Sequence, residues 1–491
     1  MLKDLKSVSK DSIIYGIGNV ATKIVGFLLI PIYTNPKFMS VADFGVLSIL
    51  DISAQVLVAL FGLSLYQGFM RWYWDMKTTK ERKELFFTVL SSVSILSLIF
   101  GTILAFNAPL ISNLLYHTGN YSRAIVLVII NAILMSIQVL PNSSMRIQGK
   151  SKLYTTLSVL KFTTNLLFTV YFVVFLKRGI EGIFEAQIIG SLLYFIFSFK
   201  HIVKNSIIKI QARILKELFI YSYPLIFASM SGILLTTIDR FSLNYLSTLP
   251  NVGIYTLGFK IGGSIKVFIV TSVQLALTPM LLKRINDPNN KRLYSKVLTY
   301  FSFGLMWIVL AVSVFSREII ILIAKSPQYI EATYIVPIIA MISFFGMAKD
   351  SVIIGLHVHK KTKIIGTIII IAAIVNLGFN ILLIPMWGIY GAAWASLFAQ
   401  LLLFALTFYF AQKSYPIKYE LGKIALIIIV GIALFGISLL LNNFNIWISL
   451  SLKTLLTLSF PLWFFLFPFF EEVEKETIFN TINNLLMRKK T

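Results

Sequence analysis

Residues Ile364 to Ile384 read IIGTIIIIAAIVNLGFNILLI, an unbroken stretch without a single charge. A run of about 20 apolar residues suffices to cross the hydrocarbon core of a bilayer. The stretch does not alternate between polar and apolar positions, as a barrel strand would. In lipid its backbone must satisfy its own hydrogen bonds, so it is expected to be a helix. Working outward, comparable blocks occupy approximately 12–35, 42–70, 85–107, 122–145, 153–176, 180–199, 217–246, 251–282, 297–316, 331–357, 364–385, 388–412, 421–441 and 446–470. The expectation is an all-α integral membrane protein with about 14 transmembrane helices. Several blocks are longer than 25 residues, which allows tilt.

Composition agrees. Of 491 residues, 57% are apolar and 13% charged, with a mean hydropathy of +0.84. A soluble domain carries about 25% charged residues. The net charge of +24 invites a nucleic-acid reading. Against it, the basic residues sit in short breaks between apolar blocks, the pattern of cytoplasmic loops, so no nucleic acid is expected. There is no cysteine, which excludes any site built on thiolates. The first block is too long for a signal peptide and lacks a small-residue cleavage site, so it is expected to remain as the first helix.

Lys and Arg set the orientation. One alternating set of breaks, with the two termini, holds 31 of the 44; the other set holds 6, namely Lys37, Arg123, Lys177, Arg178, Arg317 and Lys325. Fourteen spans with both termini cytoplasmic satisfy this bias at every break. The expected location is a bacterial cytoplasmic (inner) membrane.

The chain also resembles itself at an offset near 210. Met39-Ser40 followed by Phe44-Gly45-Val46 pairs with Leu246-Ser247 followed by Val252-Gly253-Ile254. Lys150-Ser151-Lys152 pairs with Lys361-Thr362-Lys363, Asn165 with Asn376, and Gly179-Ile180-x-Gly182 with Gly388-Ile389-x-Gly391. Two pseudo-symmetric six-helix bundles follow, 1–205 and 206–413, with two additional helices over 414–470 and a cytoplasmic tail over 471–491. Repeats in one orientation place a substrate site between the halves.

Seven bases fall inside the blocks: Lys23, Lys161, Arg240, Lys260, Lys266, Lys349 and Lys453. Lys453 lies near an outer end and is expected to snorkel. The acids inside spans are Asp51, Asp239 and Asp350. A charge at the bilayer centre costs about 2.5–3.5 kcal/mol on insertion scales, so each is expected to face protein or water. Asp239-Arg240 and Lys349-Asp350 are adjacent in sequence, and helix neighbours do not face each other, so both pairs are expected to seek partners on other helices. Three acids cannot neutralise the six deeper bases. The surplus suits an anionic ligand such as a phosphate or pyrophosphate. Lys260 and Lys266 are about 120° apart around one helix, so both need not face one cavity.

Other signals carry no chemistry. Gly149-Lys150-Ser151 lacks the earlier glycine of a phosphate loop, that position being Ser144. Gly16-x-Gly18-x-x-Ala21 and Gly258-x-x-x-Gly262 read as small-residue packing faces. His357-x-His359 has too few partners for a metal. No metal, cofactor or catalytic residue is expected. Pro31, Pro141, Pro224, Pro279 and Pro337 lie within spans and can kink them.

On these residues the chain resembles the polysaccharide branch of the multidrug/oligosaccharidyl-lipid/polysaccharide (MOP, MATE-like) exporter superfamily. The opening Ser12 to Thr34 with Asp43-Phe44-Gly45 looks like the family's start. Asp239-Arg240 with Leu246-Ser247 and Val252-Gly253-Ile254-Tyr255 resembles its seventh-to-eighth helix signature, and Gly388-Ile389-Tyr390-Gly391-Ala392-Ala393 its turn after the eleventh helix. The resemblance implies a Wzx-type flippase for undecaprenyl-pyrophosphate-linked oligosaccharide, serving O-antigen, lipopolysaccharide, capsule or exopolysaccharide synthesis. It implies rocking halves, an anionic head group held by Arg240, Lys23, Lys260, Lys266, Lys349 and Lys161, and proton or sodium coupling through Asp51, Asp239 or Asp350. A polysaccharide polymerase and a chain-length regulator are the implied protein partners. The same fold and charge logic suits a lipid II flippase. A multidrug efflux member usually binds organic cations, which a positive interior disfavours. A membrane polymerase or glycosyltransferase would need a sizeable external loop with catalytic acids; the external breaks are short and no Asp-x-Asp occurs.

Overall fold

The computed structural model describes residues 26–274, 284, 287, 289–359, 361–472 and 476. These are helical with short connections, and no strand occurs among the described residues. The principal helices are α1 (Val41–Gly62), α2 (Leu65–Trp72), α3 (Thr79–Phe106), α4 (Ser122–Ile147), α5 (Ser151–Val170), α6 (Gly179–Lys204), α7 (Ala212–Leu246), α8 (Leu249–Ile265), α9 (Asn290–Val314), α10 (Val336–Val352), α11 (Thr362–Ser414), α12 (Leu421–Leu440) and α13 (Ile446–Trp463). Twelve helical segments among the described residues are long and apolar enough to cross a membrane. One of them, α11, is 53 residues long and is two helices meeting at Gly388, whose φ of 55° and ψ of −127° are not helical. The second to fourteenth predicted spans thus each have a helical counterpart. Most of the first, 12–35, lies outside the described residues, as does Pro279.

Local chemistry sets the helix starts. Ser40 caps α1: its Oγ accepts from the Asp43 N–H at 3.0 Å, and Asp43 Oδ2 accepts from the Ser40 N–H at 3.0 Å. Thr78 and Glu81 form the same reciprocal box at the start of α3. The predicted span 42–70 is not continuous. It breaks at Leu63 and Ser64, with φ of 44° and 52°. Two successive left-handed residues that are not glycine cost about 1–2 kcal/mol each, so surrounding structure must hold them.

Packing separates two compact units. The first takes the described residues up to Lys260 with Ile320–Ile335 and Thr362–Leu403. The second takes Ile261–Ile319, Val336–Lys361 and the described residues from Phe404 onward. In the first, Leu65, Phe69, Phe86, Val89, Leu140 and Leu218 form a buried cluster. In the second, Phe303 lies against Phe460, Phe464 and Phe469 at centroid distances of 5.1–5.6 Å. Ile429 and Ile432 of α12, with Leu455 and Leu458 of α13, remain exposed. Apolar surface of that extent suits lipid and not water.

The internal repeat takes physical form within the first unit. A Cβ added to Gly45 would fall 2.2 Å from the Leu249 carbonyl oxygen, and one on Gly253 would fall 2.3 Å from that of Val41. One turn further on, Thr256 Oγ1 donates to Ser48 Oγ at 2.8 Å. Gly45 and Gly253 are 208 residues apart, as are Ser48 and Thr256. Equivalent residues therefore touch each other where α1 crosses α8, a reciprocal contact of the kind a local two-fold produces. The other motif agrees, since Gly179 and Gly388 share the left-handed conformation, with φ of 54° and 55°.

Candidate functional site

The site is assembled from three helices of the first unit. On α1, Phe44, Ser48, Asp51 and Gln55 are spaced four, three and four residues apart and share one face. On α7, Thr236 and Arg240 stand one turn apart beside Thr237. Thr256, Phe259 and Lys260 come from α8. Together with Leu47 and Ile52 they line a cavity of about 290 Å³.

Arg240 is almost fully buried. Its Cζ lies 3.8 Å from the centroid of Phe259 and 5.7 Å from that of Tyr255. A guanidinium over a desolvated ring gains about 2 kcal/mol. Nη1 donates to the Thr236 carbonyl at 2.9 Å. Asp239 sits behind it, its Oδ1 3.7 Å from Arg240 Nη1 and accepting from the Arg240 N–H at 3.0 Å. The other oxygen, Oδ2, accepts from the Tyr255 hydroxyl and, at 3.3 Å, from Ser396 Oγ. Asp239 is thus saturated by protein and anchors Arg240.

Lys260 Nζ lies 5.2 Å from the Phe44 centroid and 5.9 Å from that of Tyr33. It is within electrostatic reach of Asp51 and Arg240. Gln187 stands beside Asp51, and its Oε1 accepts from Asn131 Nδ2 at 2.6 Å. Two cations therefore share one cavity with one carboxylate. Rings cushion both cations, as suits charge left available for a ligand.

The remaining sequence candidates lie elsewhere. Lys161 is buried and donates to Gln138 Oε1 at 2.6 Å; it does not line this cavity. Lys266, Lys349 and Asp350 belong to the second unit. Lys349 Nζ meets Asp350 Oδ1 directly, and Asp350 Oδ2 accepts from Gln274. The expectation that helix neighbours do not face each other is corrected by this pair and by Arg240-Asp239, while the partners expected on other helices are present as well, Tyr255 and Ser396 for Asp239 and Gln274 for Asp350. Long side chains fold back far enough for neighbouring termini to approach. Lys453 does not snorkel. It is buried, bonded to Glu318 at 2.5 Å and to Asn442 Oδ1 at 2.7 Å. A carboxylate within reach, Glu318 before α10, removed the need to find water. Lys23 lies outside the described residues.

Sequence reasoning missed the neutral members: Gln55, Gln187, Asn131 and the rings of Tyr33, Phe44 and Phe259. The usable signal was Gln55 one turn from Asp51 within an apolar helix.

The second unit holds a larger basic cavity, of about 640 Å³, lined by Lys291, Arg292, Lys296, Lys418, Glu420 and Glu471 among others. Here Lys296 and Arg292 are paired with carboxylates, and Lys291 lies over the Tyr415 ring at 4.7 Å. Lys296 Nζ lies 3.1 Å from Glu420 and 2.6 Å from Glu471; Arg292 reaches Glu471 at 3.2 Å and Lys423 reaches Glu420 at 3.0 Å. Burial pushes the Glu420 carboxyl up, but hydrogen bonds from Thr299, Lys423 and Lys296 outweigh it and hold it below its ordinary range. The Lys296 hydrogen bond and charge hold Glu471 down as well.

Comparisons follow the same lines. Residues 37–334 match the family described as polysaccharide biosynthesis protein. An uncharacterized membrane protein of Methanocaldococcus jannaschii is 28% identical over 225 residues, 45% of this chain and 44% of that protein. The chain thus spans less than half the length of that relative. Among solved structures, the fold is similar to that of the lipid II flippase MurJ in an inward closed conformation. That superposition has a TM-score of 0.76 at 15% identity and covers 92% of this chain and 99% of that one. It is also similar to the MATE multidrug transporter DinF-BH, with a TM-score of 0.63 at 17% identity, covering 83% and 95%.

Proposed function

We propose that this chain, which belongs to the polysaccharide biosynthesis protein family, is a transporter that flips an anionic lipid-linked oligosaccharide from the cytoplasmic to the outer leaflet. The observation that carries the reading is the cavity shared by Arg240, Lys260 and the single carboxylate Asp51. Moving a pyrophosphate through hydrocarbon without a carrier forfeits its hydration, at a cost of many kcal/mol. Two cations on one cavity wall replace that hydration with fixed partners, and Arg in particular offers a fork matched to phosphate oxygens. The polyprenyl tail stays in lipid, so only the head group needs the cavity. An organic cation would meet net positive charge there, which disfavours drug efflux.

In this reading two six-helix halves, 1–205 and 206–413, rock to expose the cavity to each leaflet in turn. Both termini lie in the cytoplasm of a bacterial cell whose inner membrane holds the protein. Lys23 and Lys266 assist the head group along its path, Lys161 and Lys349 hold the structure around it, and the cargo is an undecaprenyl-pyrophosphate-linked repeat unit for O-antigen, capsule or exopolysaccharide. A polymerase and a chain-length regulator receive it. Asp51, as the carboxylate on the cavity wall, is assigned the coupling proton or sodium ion, ahead of Asp239 and Asp350.

The test is the amount and sidedness of polyprenyl-linked oligosaccharide in cells lacking the protein. Accumulation on the cytoplasmic leaflet is expected, relieved by a plasmid copy of the wild type and not by Arg240→Gln. Normal glycolipid levels and sidedness in those cells would sink the reading.

A further inference from the structure

A second cavity of the first unit, about 340 Å³ in volume, shares Gln55 with the first. Two helices give the same order for the pair. Along α1 the first cavity takes Phe44 to Asp51 and the second takes Val58 to Gly62, with Gln55 in both. Along α7 the first takes Thr236 to Arg240 and the second Ser229 and Ile233. Asp51 to Gly62, and Arg240 to Ser229, each span about 16 Å at 1.5 Å per residue. The cavities are therefore stacked end to end. The second lies toward the end of α1 and the start of α7, the ends that the Lys and Arg bias assigns to the cytoplasm.

The linings differ in chemistry. The second has no carboxylate and no lysine. It has hydroxyls from Ser64, Tyr66, Ser136 and Ser229, the Gln55 amide and one guanidinium, Arg146. Arg146 is exposed; its Nη2 lies 3.4 Å from Ser143 Oγ and its Cζ 6.0 Å from the Tyr154 centroid. No carboxylate among the described residues pairs with it; Arg71, Arg123, Arg178 and Arg292 each meet one, and Arg82 and Arg317, which meet none, donate to backbone carbonyls and line neither cavity. The left-handed break at Leu63 and Ser64 borders this cavity, with Gly62, Ser64 and Tyr66 on its wall. Backbone held in such a conformation clusters at ligand sites.

We infer that the second cavity holds the glycan of the cargo and that Arg146 pairs with a carboxylate on it, making the cargo an acidic glycan. The inference rests on the transporter reading above. Hydroxyls and an amide suit sugar hydroxyls, while a guanidinium without a partner suits a carboxylate in bidentate contact. The head group sits at Arg240 and Lys260, and the sugars extend along α1 to Arg146.

Full-length protein in nanodiscs would be titrated with trigalacturonate and with α-1,4-linked galactotriose, equal in length and configuration and differing in carboxylates. Tighter binding of trigalacturonate by about tenfold is expected, the size of one charge-assisted contact. Arg146→Gln should bring the two sugars within about twofold, and Arg146→Lys should keep part of the preference. Arg146 is exposed, so both variants should unfold at the wild-type temperature. Geranylgeranyl pyrophosphate reports the head-group site separately: its binding should survive Arg146→Gln and be lost in Arg240→Gln. Equal binding of the two sugars by the wild type, no binding of either, or an undiminished preference in Arg146→Gln overturns the inference. A preference that depends on Arg146, in a protein blind to geranylgeranyl pyrophosphate, upholds it and counts against the head-group assignment.

Discussion

In one unit of this chain Arg240 and Lys260 share a cavity with a single carboxylate, and rings stand against both cations. In the other, Lys296 stands between Glu420 and Glu471, and Lys423 and Arg292 close the network. The second cavity is larger and richer in bases, so volume and basic residues alone would choose it. Burial chooses the first, where Arg240 is almost fully buried, whereas Arg292 on the wall of the other is largely exposed. Lys296 is clamped between two carboxylates at 3.1 and 2.6 Å, whereas Arg240 meets one, Asp239, at the longer distance of 3.7 Å and lines its cavity beside the Phe259 ring. Asp239 sharpens the point, because its oxygens are taken up by Tyr255, Ser396 and the backbone of Arg240. It orients its neighbour more than it neutralises the cavity.

The sharpest way to break the comparison is to remove one cation from each side. Arg240→Gln should lower transport by about 30-fold to 4000-fold, the loss of 2–5 kcal/mol that follows truncation of a buried charge contact. Lys296→Gln should leave transport within about threefold, since partly exposed ion pairs contribute little. Equal losses in a flipping assay would end the distinction. The buried pair Lys453–Glu318 marks the structural extreme. Lys453→Met alone should destabilise the protein by about 3–5 kcal/mol, while the double variant Lys453→Met/Glu318→Leu should recover most of that. Unfolding of the protein in lipid nanodiscs would measure both.

A smaller effect is expected at the helix crossing beneath the site. Gly45→Ala would drive a methyl against the Leu249 carbonyl and should cost about 1–3 kcal/mol, with Gly253→Ala costing the same because the contact is reciprocal. Unequal losses in the same unfolding experiment would argue against the local two-fold. The smallest effect concerns pH. Glu420 and Glu471 are both held below the ordinary glutamate value of about 4.3. Their contribution to the second unit is therefore complete above that value and lost as pH falls through the lowered ones. Protection of the amides over 417–423, taken relative to the intrinsic exchange rate at each pH, should fall only in that acid window, and a fall at neutral pH would contradict it.

Much of this was legible in the sequence. The helical class follows from runs such as Ile364 to Ile384, because lipid offers a backbone no other partner. The repeat could be read from Gly45 with Gly253 and Gly179 with Gly388, positions where only glycine meets the local demand. Arg240, Lys260 and Asp51 stood out because charge in an apolar run is expensive. The break at Leu63 and Ser64 was not legible. Neither residue favours a left-handed backbone, and tertiary packing imposes it. Arg146 was hidden for the opposite reason: a base at the cytoplasmic end of a span looks like every other loop base.

The sequence by itself determined that this chain crosses a membrane many times, repeats itself and carries surplus positive charge within its spans. Those properties follow from composition and period, which are local. Tertiary structure alone decided which charges are spent on each other. Lys453 finds Glu318 from 135 residues away, and Lys349 finds its own neighbour, while Arg240 and Lys260 come from two helices to one cavity that Asp51 also lines. Whether a buried charge is satisfied depends on atoms a few ångströms away in space, and spacing along the chain does not report that distance.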